Sequence, residues 1–252
     1  MAAIHKDVST VFSRAPFGLL APLVRVEVHL GAGLPAFAMV GLPEAVVRES
    51  RERVRSALLT SGFDFPAGRI TVNLSPADLP KEGGRFDLPI AIGILAASRK
   101  IPPHALEQRE FYGELSLGGE LRETPKLLPA LIEGSRSGRE LILPSANALE
   151  AGLVGHAKLK LASHLRQVCD ALNGKAVLPA VACPADPALP ADAPDLAEVR
   201  GQFAAKRALE IAAAGEHGLL MIGPPGAGKT LLAQRLPGLL PPLAPFESLQ
   251  VA

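Results

Sequence analysis

The sequence predicts a mixed α/β (α+β) protein of two unequal parts, and three observations predict it. Stretches with the two-residue period of strands alternate with stretches of helical period over the first 174 or so residues. A run holding five prolines and no aromatic residue follows, at 176–194. After it comes GPPGAGKT at 223–230, a complete match to the phosphate-binding pattern G-x-x-x-x-G-K-[ST].

In chain order, VRVEVHL (24–30) alternates apolar and polar residues as a half-buried strand does, and PAFAMVG (35–41) gives a second strand. Pro43 and Glu44 suit the first turn of a helix over 44–60. Val46, Val47, Val54, Ala57 and Leu58 share its apolar face; Arg48, Glu49, Arg51, Glu52, Arg53 and Arg55 read as a solvated face laced with ion pairs. RITVNLSPADL (69–79) is a further strand with Ile70, Val72 and Leu74 on one side, running into a polar glycine-containing loop, PKEGGRFD (80–87).

LPIAIGILAAS (88–98) is apolar nearly all round and is expected as a buried helix. Gly118-Gly119, between FYGELSL and ELR, signals a hairpin with a two-residue turn. A helix at 127–135, a strand at 140–144, a short helix at 146–151, a strand at 158–162 and a helix at 163–172 with Ser163 as its N-cap complete the first part. The domain division is therefore 1–174, a Pro/Ala-rich linker at 175–194, and a second domain at 195–252. In the second domain a helix at 202–214 leads into GLLMIG (218–223), read as a buried parallel strand, and TLLAQRL (230–236) opens a helix ended by the prolines that follow.

Strand, loop and helix are the setting that turns the motif into a site. Gly223, Pro224, Pro225, Gly226, Ala227, Gly228, Lys229 and Thr230 are the candidate binding residues for ATP. Glycines let successive backbone N–H groups point inward as an anion nest. Lys229 can reach the β- and γ-phosphates, and the Thr230 hydroxyl can meet Mg²⁺.

Bulk composition narrows the partners. Net charge is +1, so composition offers no argument for nucleic acid or an anionic membrane. Two cysteines, Cys169 and Cys183, have neither the number nor the spacing of a disulfide framework or zinc site. The six histidines, His5, His29, His104, His156, His164 and His217, are scattered without metal-ligand spacing. No apolar leader opens the chain, and the longest apolar stretch, 88–97, is too short to span a bilayer; a cytoplasmic protein is expected.

Four blocks, VGLPEAVVRESRERVRSAL, ITVNLSPADLPKEGGRFDLPIAIGILAAS, FYGELSLGGELR and AAGEHGLLMIGPPGAGKTLLAQRLPGLLP, together resemble the magnesium-chelatase-like AAA+ ATPases of the ComM/YifB type. The resemblance implies a Lon-protease-like N-terminal domain followed by an incomplete P-loop NTPase (AAA+) domain. It further implies that the full-length relative is a homo-hexameric motor acting on DNA, a branch-migration or helicase activity in natural transformation. LAEVRGQ (196–202) resembles the segment that borders the adenine in this family.

A Lon-like fold raises the alternative of a Ser–Lys peptidase. The family's serine follows a Lys-acid-Gly run; here that run is Lys81-Glu82-Gly83-Gly84 and the next residue is Arg85. The region of the lysine offers Lys126, with Thr124 at the aligned position, and Ser75 lies outside the matching loop. Arginine cannot be the nucleophile, so the expectation is a protease-shaped domain with no catalytic residues. A magnesium-chelatase motor subunit is the other alternative, and the Lon-like domain argues against it. Only 22 residues follow Thr230, with no apolar run ending in an acidic pair, so a chain truncated before the hydrolytic groups is expected. Limited proteolysis followed by mass spectrometry should leave 1–174 as a compact core with early cuts between Ala176 and Pro194; a protected linker would show the division to be wrong.

Overall fold

The computed structural model describes residues 8–18, 20–41, 45–154, 158–181 and 194–241. Two compact units are present, one ending at Pro184 and the other starting at Ala185. The first is a mixed α/β layer structure, as its alternating pattern predicts.

Its sheet has seven strands. β1 (Val8–Arg14), β2 (Leu23–Gly31), β3 (Ala36–Val40) and β4 (Arg69–Ser75) come first, with α1 (Ala45–Thr60) between the last two. α2 (Asp87–Ala97) precedes β5 (Arg109–Phe111); a small separate hairpin pairs β6 (Glu114–Leu115) with β7 (Leu121–Arg122). α3 (Leu128–Arg136), β8 (Glu140–Pro144), α4 (Ala148–Gly152), β9 (Leu159–Ala162) and α5 (Leu165–Leu172) finish the unit. The strand order is β3-β4-β2-β1-β5-β8-β9. β2 runs antiparallel to both neighbours, and the other four pairings are parallel.

All eleven residues of α2 are buried, which is what a helix without a polar face requires. It packs on β1 and β2, and Val11, Val26, Val28, Ile90 and Ile94 belong to one core with Val54, Ala57 and Leu58 of α1 and Ile70, Val72 and Leu74 of β4. Each valine, leucine or isoleucine among them contributes roughly 1.5–3 kcal/mol by leaving water. The side chains of Val46, Val47 and Arg48, and residues Pro43, Glu44, His5, His156 and Cys183, lie outside the described residues.

Several expectations are corrected. β1 has no counterpart in the sequence reading, because its inward positions include Ser9 and Ser13, which blur the apolar period. Ser9 is accommodated by donating to the Gly93 carbonyl of α2 at 2.7 Å. β4 stops at Ser75, before Pro76, which has no N–H for the ladder. The loop after it is not a solvated turn: Lys81, Gly84, Arg85 and Asp87 are buried.

Arg53 does not lie on a solvated face either. It reaches the fully buried Asp87 carboxylate, its Nε donating at 2.6 Å and its Nη2 at 3.1 Å. Phe111 belongs to the main sheet rather than to the hairpin, whose strands are two residues long and whose connection spans residues 116–120. The N-cap of α5 is His164, not Ser163: its Nδ1 accepts from the Arg166 N–H at 3.0 Å. Cys169 is a free thiol in the core, and burial pushes its pKa up to about 12.

The proline-rich run begins inside this unit. Leu161 N donates to Pro179 O at 2.9 Å, Val181 N donates to Leu159 O at 3.3 Å, and Leu178 joins the core. This pairing along β9 protects the backbone up to Val181, so cleavage N-terminal to it is not expected. Residues 182–193 lie outside the described residues.

The second unit contains α6 (Phe203–Ala214), α7 (Lys229–Ala233) and α8 (Leu236–Leu239). Gln202, expected as the first helical residue, is instead the cap of α6, with φ 53°. The helix expected over 230–236 is split into α7 and α8, and Pro237 sits in the first turn of α8, where a missing N–H costs nothing. The apolar run 218–223 is not a buried strand. It pairs with no strand among the described residues, and Leu220 and Ile222 are 81% and 88% exposed. A strand needs a neighbour to hydrogen-bond and a face to bury, and this unit holds no other strand among its described residues.

Replacing Asp87 with alanine deprives Arg53 and the Leu115 N–H of their common acceptor. The expected loss in urea unfolding is about 3–5 kcal/mol. Arg55→Ala, which removes only an exposed contact 5.2 Å from the Phe65 ring, should cost less than about 1 kcal/mol. Equal effects would contradict this account.

Candidate functional site

The second unit is arranged around residues 223–230. Leu196, Val199, Leu209 and Leu232 form a small core with Ala205, Met221, Leu236 and Leu239 against it. This cluster anchors both ends of the loop: Met221 precedes it and Leu232 lies in the helix that follows. The 3-10 turn Leu196–Glu198 is capped by Asp195, whose Oδ1 accepts from Ala197 N at 2.8 Å. Glu198 is tied to Arg235 at 3.0 Å. Gln202 donates its side-chain Nε2 to the Ala227 carbonyl at 3.2 Å, so the segment 196–202 touches the loop directly.

Within the loop, Ala227 N closes a turn onto Pro224 O at 3.3 Å. Gly226 and Gly228 have φ of +81° and +80°, and a Cβ on either would meet no atom within 4 Å. Their glycines therefore answer to backbone conformation rather than to crowding. Among the described residues, the N–H groups of Gly226, Gly228, Lys229 and Thr230 donate to no carbonyl. Four donors on five consecutive residues are thus available to one ligand. α7 is only five residues long, so the N–H groups matter more than any helix dipole.

Lys229 folds back on its own loop, its Nζ donating to Gly223 O and Pro224 O, both at 2.8 Å. It is half-buried, while Gly223, Pro224, Pro225, Gly226 and Thr230 are exposed. The donor set fits a triphosphate: backbone N–H groups, one ammonium, and a hydroxyl on Thr230 at the rim. A divalent cation fits only in part, since Thr230 supplies one oxygen and no cluster of three His, Cys, Asp or Glu side chains able to hold a metal occurs among the described residues.

The structure also brings together the positions relevant to a Ser–Lys dyad. Arg85 Nη2 donates to Pro125 O at 2.8 Å, which places position 85 beside the 124–125 segment. Thr124 is held there by Asn147, whose Oδ1 accepts from Thr124 N and whose Nδ2 donates to Thr124 O, each at 2.9 Å. Lys126 is exposed, with φ 56°. Lys81 is fully buried, donates its Nζ to Pro76 O, and has its pKa lowered by that burial. Ser75 ends β4, opposite Arg25. Sequence reasoning found the loop and both positions; it missed Gln202 as a contact of the phosphate loop, for which a lone glutamine before a helix offers no signal.

Two family models match separate stretches of the chain. Residues 26–147 match the family described as subunit ChlI of Mg-chelatase, and residues 195–252 match the family described as magnesium chelatase, subunit ChlI. The chain is 50% identical over 246 residues to the uncharacterized protein YifB of Salmonella typhimurium, covering 98% of this chain and 48% of that protein. It is 51% identical over 250 residues to the competence protein ComM of Haemophilus influenzae, covering 98% and 49%. An uncharacterized protein of Mycobacterium tuberculosis is 44% identical over 241 residues, covering 95% and 48%. The chain spans about half the length of the curated relatives it matches. No helix among the described residues is long and apolar enough to cross a membrane.

Proposed function

We propose that this chain, which belongs to the magnesium-chelatase-like ComM/YifB family, is the ATP-binding portion of a cytoplasmic AAA+ motor that acts on DNA. The observation that carries the reading is the group of N–H donors of Gly226, Gly228, Lys229 and Thr230, directed at no carbonyl among the described residues. In this reading those groups bind the β- and γ-phosphate oxygens. Lys229 exchanges its two loop carbonyls for the phosphates, a short movement for a flexible side chain. Thr230 offers its hydroxyl to Mg²⁺, which when bound neutralises the charge of the phosphate chain. The segment 196–202, held to the loop through Gln202, flanks the adenine.

The larger assembly is part of the same proposal. It has a Lon-protease-like domain that includes the segment up to Val181, a linker between that segment and residue 195, and the start of an AAA+ module at 195–252, and the whole protein is a homo-hexamer. The competence name of the Haemophilus influenzae relative supports a branch-migration or helicase role in natural transformation. A peptidase role gains nothing from the structure: position 85 carries a guanidinium, and no serine hydroxyl meets a lysine amine among the described residues.

Titration of the chain with a fluorescent ATP analogue and Mg²⁺ should show saturable binding, weakened about 10- to 100-fold by Lys229→Ala. Phosphate release should stay at background, because the acidic pair that positions water is not among residues 231–252. Binding indifferent to Lys229→Ala would overturn the site. Phosphate release abolished by the same substitution would overturn the claim that this chain does not turn over.

A further inference from the structure

Arg85 is only 5% exposed. Beyond the bond from Nη2 to Pro125 O, its Nε and Nη1 have no hydrogen-bond partner among the described residues. Thr124, adjacent to that accepting proline, is 1% exposed, and its hydroxyl is also without a partner. Two N–H-bearing nitrogens of a cation are thus withdrawn from water and unpaired, and so is a hydroxyl on the residue next to the one that Arg85 contacts. A guanidinium remains charged under all ordinary conditions, and a buried charge is tolerated when an opposite charge and hydrogen bonds meet it.

The acidic groups around Arg85 do not perform that role. Glu82, Glu150 and Tyr112 act on it through space. Glu150 is committed elsewhere, its Oε1 accepting from Leu127 N and Leu128 N at 3.1 and 2.7 Å and its Oε2 from Asn147 Nδ2 at 3.0 Å. The Tyr112 hydroxyl donates to Glu110 at 2.5 Å, and Glu82 is exposed. Lys81, fully buried in the same segment, adds a second cation. Access is present at Gly83, which is partly exposed, has φ +70°, and borders open space, since a Cβ there would meet no atom within 4 Å.

We propose that Arg85 and Thr124 form an oxyanion-binding site, taking a carboxylate or phosphate group of a ligand that enters beside Gly83. Either Nε or Nη1 of Arg85, which lie on opposite edges of the guanidinium, donates to an oxygen of the anion, and the Thr124 hydroxyl donates a further hydrogen bond. The site is independent of the phosphate loop and of the ATP-binding reading. It makes the position of the Ser–Lys dyad a place of recognition rather than of bond cleavage.

The test uses the whole 252-residue chain carrying Lys229→Ala, so that anion binding at the phosphate loop is weakened and the Arg85 and Thr124 variants are compared on that background. Thermal unfolding is followed with sodium phosphate and, separately, sodium acetate, against sodium chloride at matched ionic strength. The expected result is a midpoint raised by roughly 3–6 °C at about tenfold excess over Kd. The rise should vanish in Arg85→Met, and Thr124→Val should weaken binding about three- to tenfold. A shift with phosphate alone assigns a phosphate ligand, a shift with acetate alone a carboxylate, and a shift with both an unselective oxyanion site. No shift with either salt, or a shift that persists in Arg85→Met, overturns the proposal. Should Arg85→Met fail to fold, the ¹⁵N resonance of Arg85 Nε decides: movement on adding either anion supports the site, and an unmoved resonance overturns it.

Discussion

The buried carboxylate of Asp87 is the contact on which the N-terminal unit depends. It stands at the first residue of a helix with no polar face, and it receives Arg53 from α1 and the Leu115 N–H from the β6–β7 hairpin. Burial pushes its pKa up, while Arg53 and the hydrogen bonds to it pull the other way. A charge in that position is tolerable only with its partners in place. One interaction therefore fixes the helix that fills the core, the helix beside it, and the hairpin that precedes Thr124. The segment immediately before Asp87 is the one that carries Lys81 and Arg85, so the geometry of the second candidate site follows from the same anchor.

A second buried charge cluster holds the other half of the sheet. Glu110 in β5 accepts from Arg14 of β1 at 2.8 and 3.0 Å, from the Tyr112 hydroxyl, and from Arg139 at 3.3 Å. The contrast with Arg85 is instructive. Glu110 is surrounded by donors, whereas two of the three guanidinium nitrogens of Arg85 have none among the described residues. In a unit where Asp87 and Glu110 are each met by several partners, the unmet cation is the exception that calls for a ligand.

The phosphate loop illustrates a different economy. Its conformation is set locally, by two glycines at positive φ and by the turn from Ala227 to Pro224, and a handful of apolar contacts hold it to the preceding segment. The run before it has Leu219, Leu220 and Ile222 exposed and forms no ladder among the described residues. Phosphate binding needs the local geometry; hydrolysis needs groups that a complete sheet positions.

The sequence by itself determined the local features. Period-two alternation placed β2 and β4, short apolar runs placed β3 and β8, an unbroken apolar run placed α2, and the spacing of Gly, Lys and Thr marked the candidate phosphate loop, because each signal is carried by neighbouring residues. Family blocks spread over the chain identified its kinship for the same reason. Tertiary structure alone decided what distant residues do to one another. It turned Arg53 inward to Asp87 across 34 positions, buried a loop that reads as polar, and hid β1 behind inward-facing serines. It brought Arg85 against Pro125, and it left the run 218–223 without a strand partner among the described residues. Desolvation and hydrogen bonding between remote segments leave no periodic trace, so polarity in the sequence marks a residue as solvent-facing until a buried partner shows otherwise.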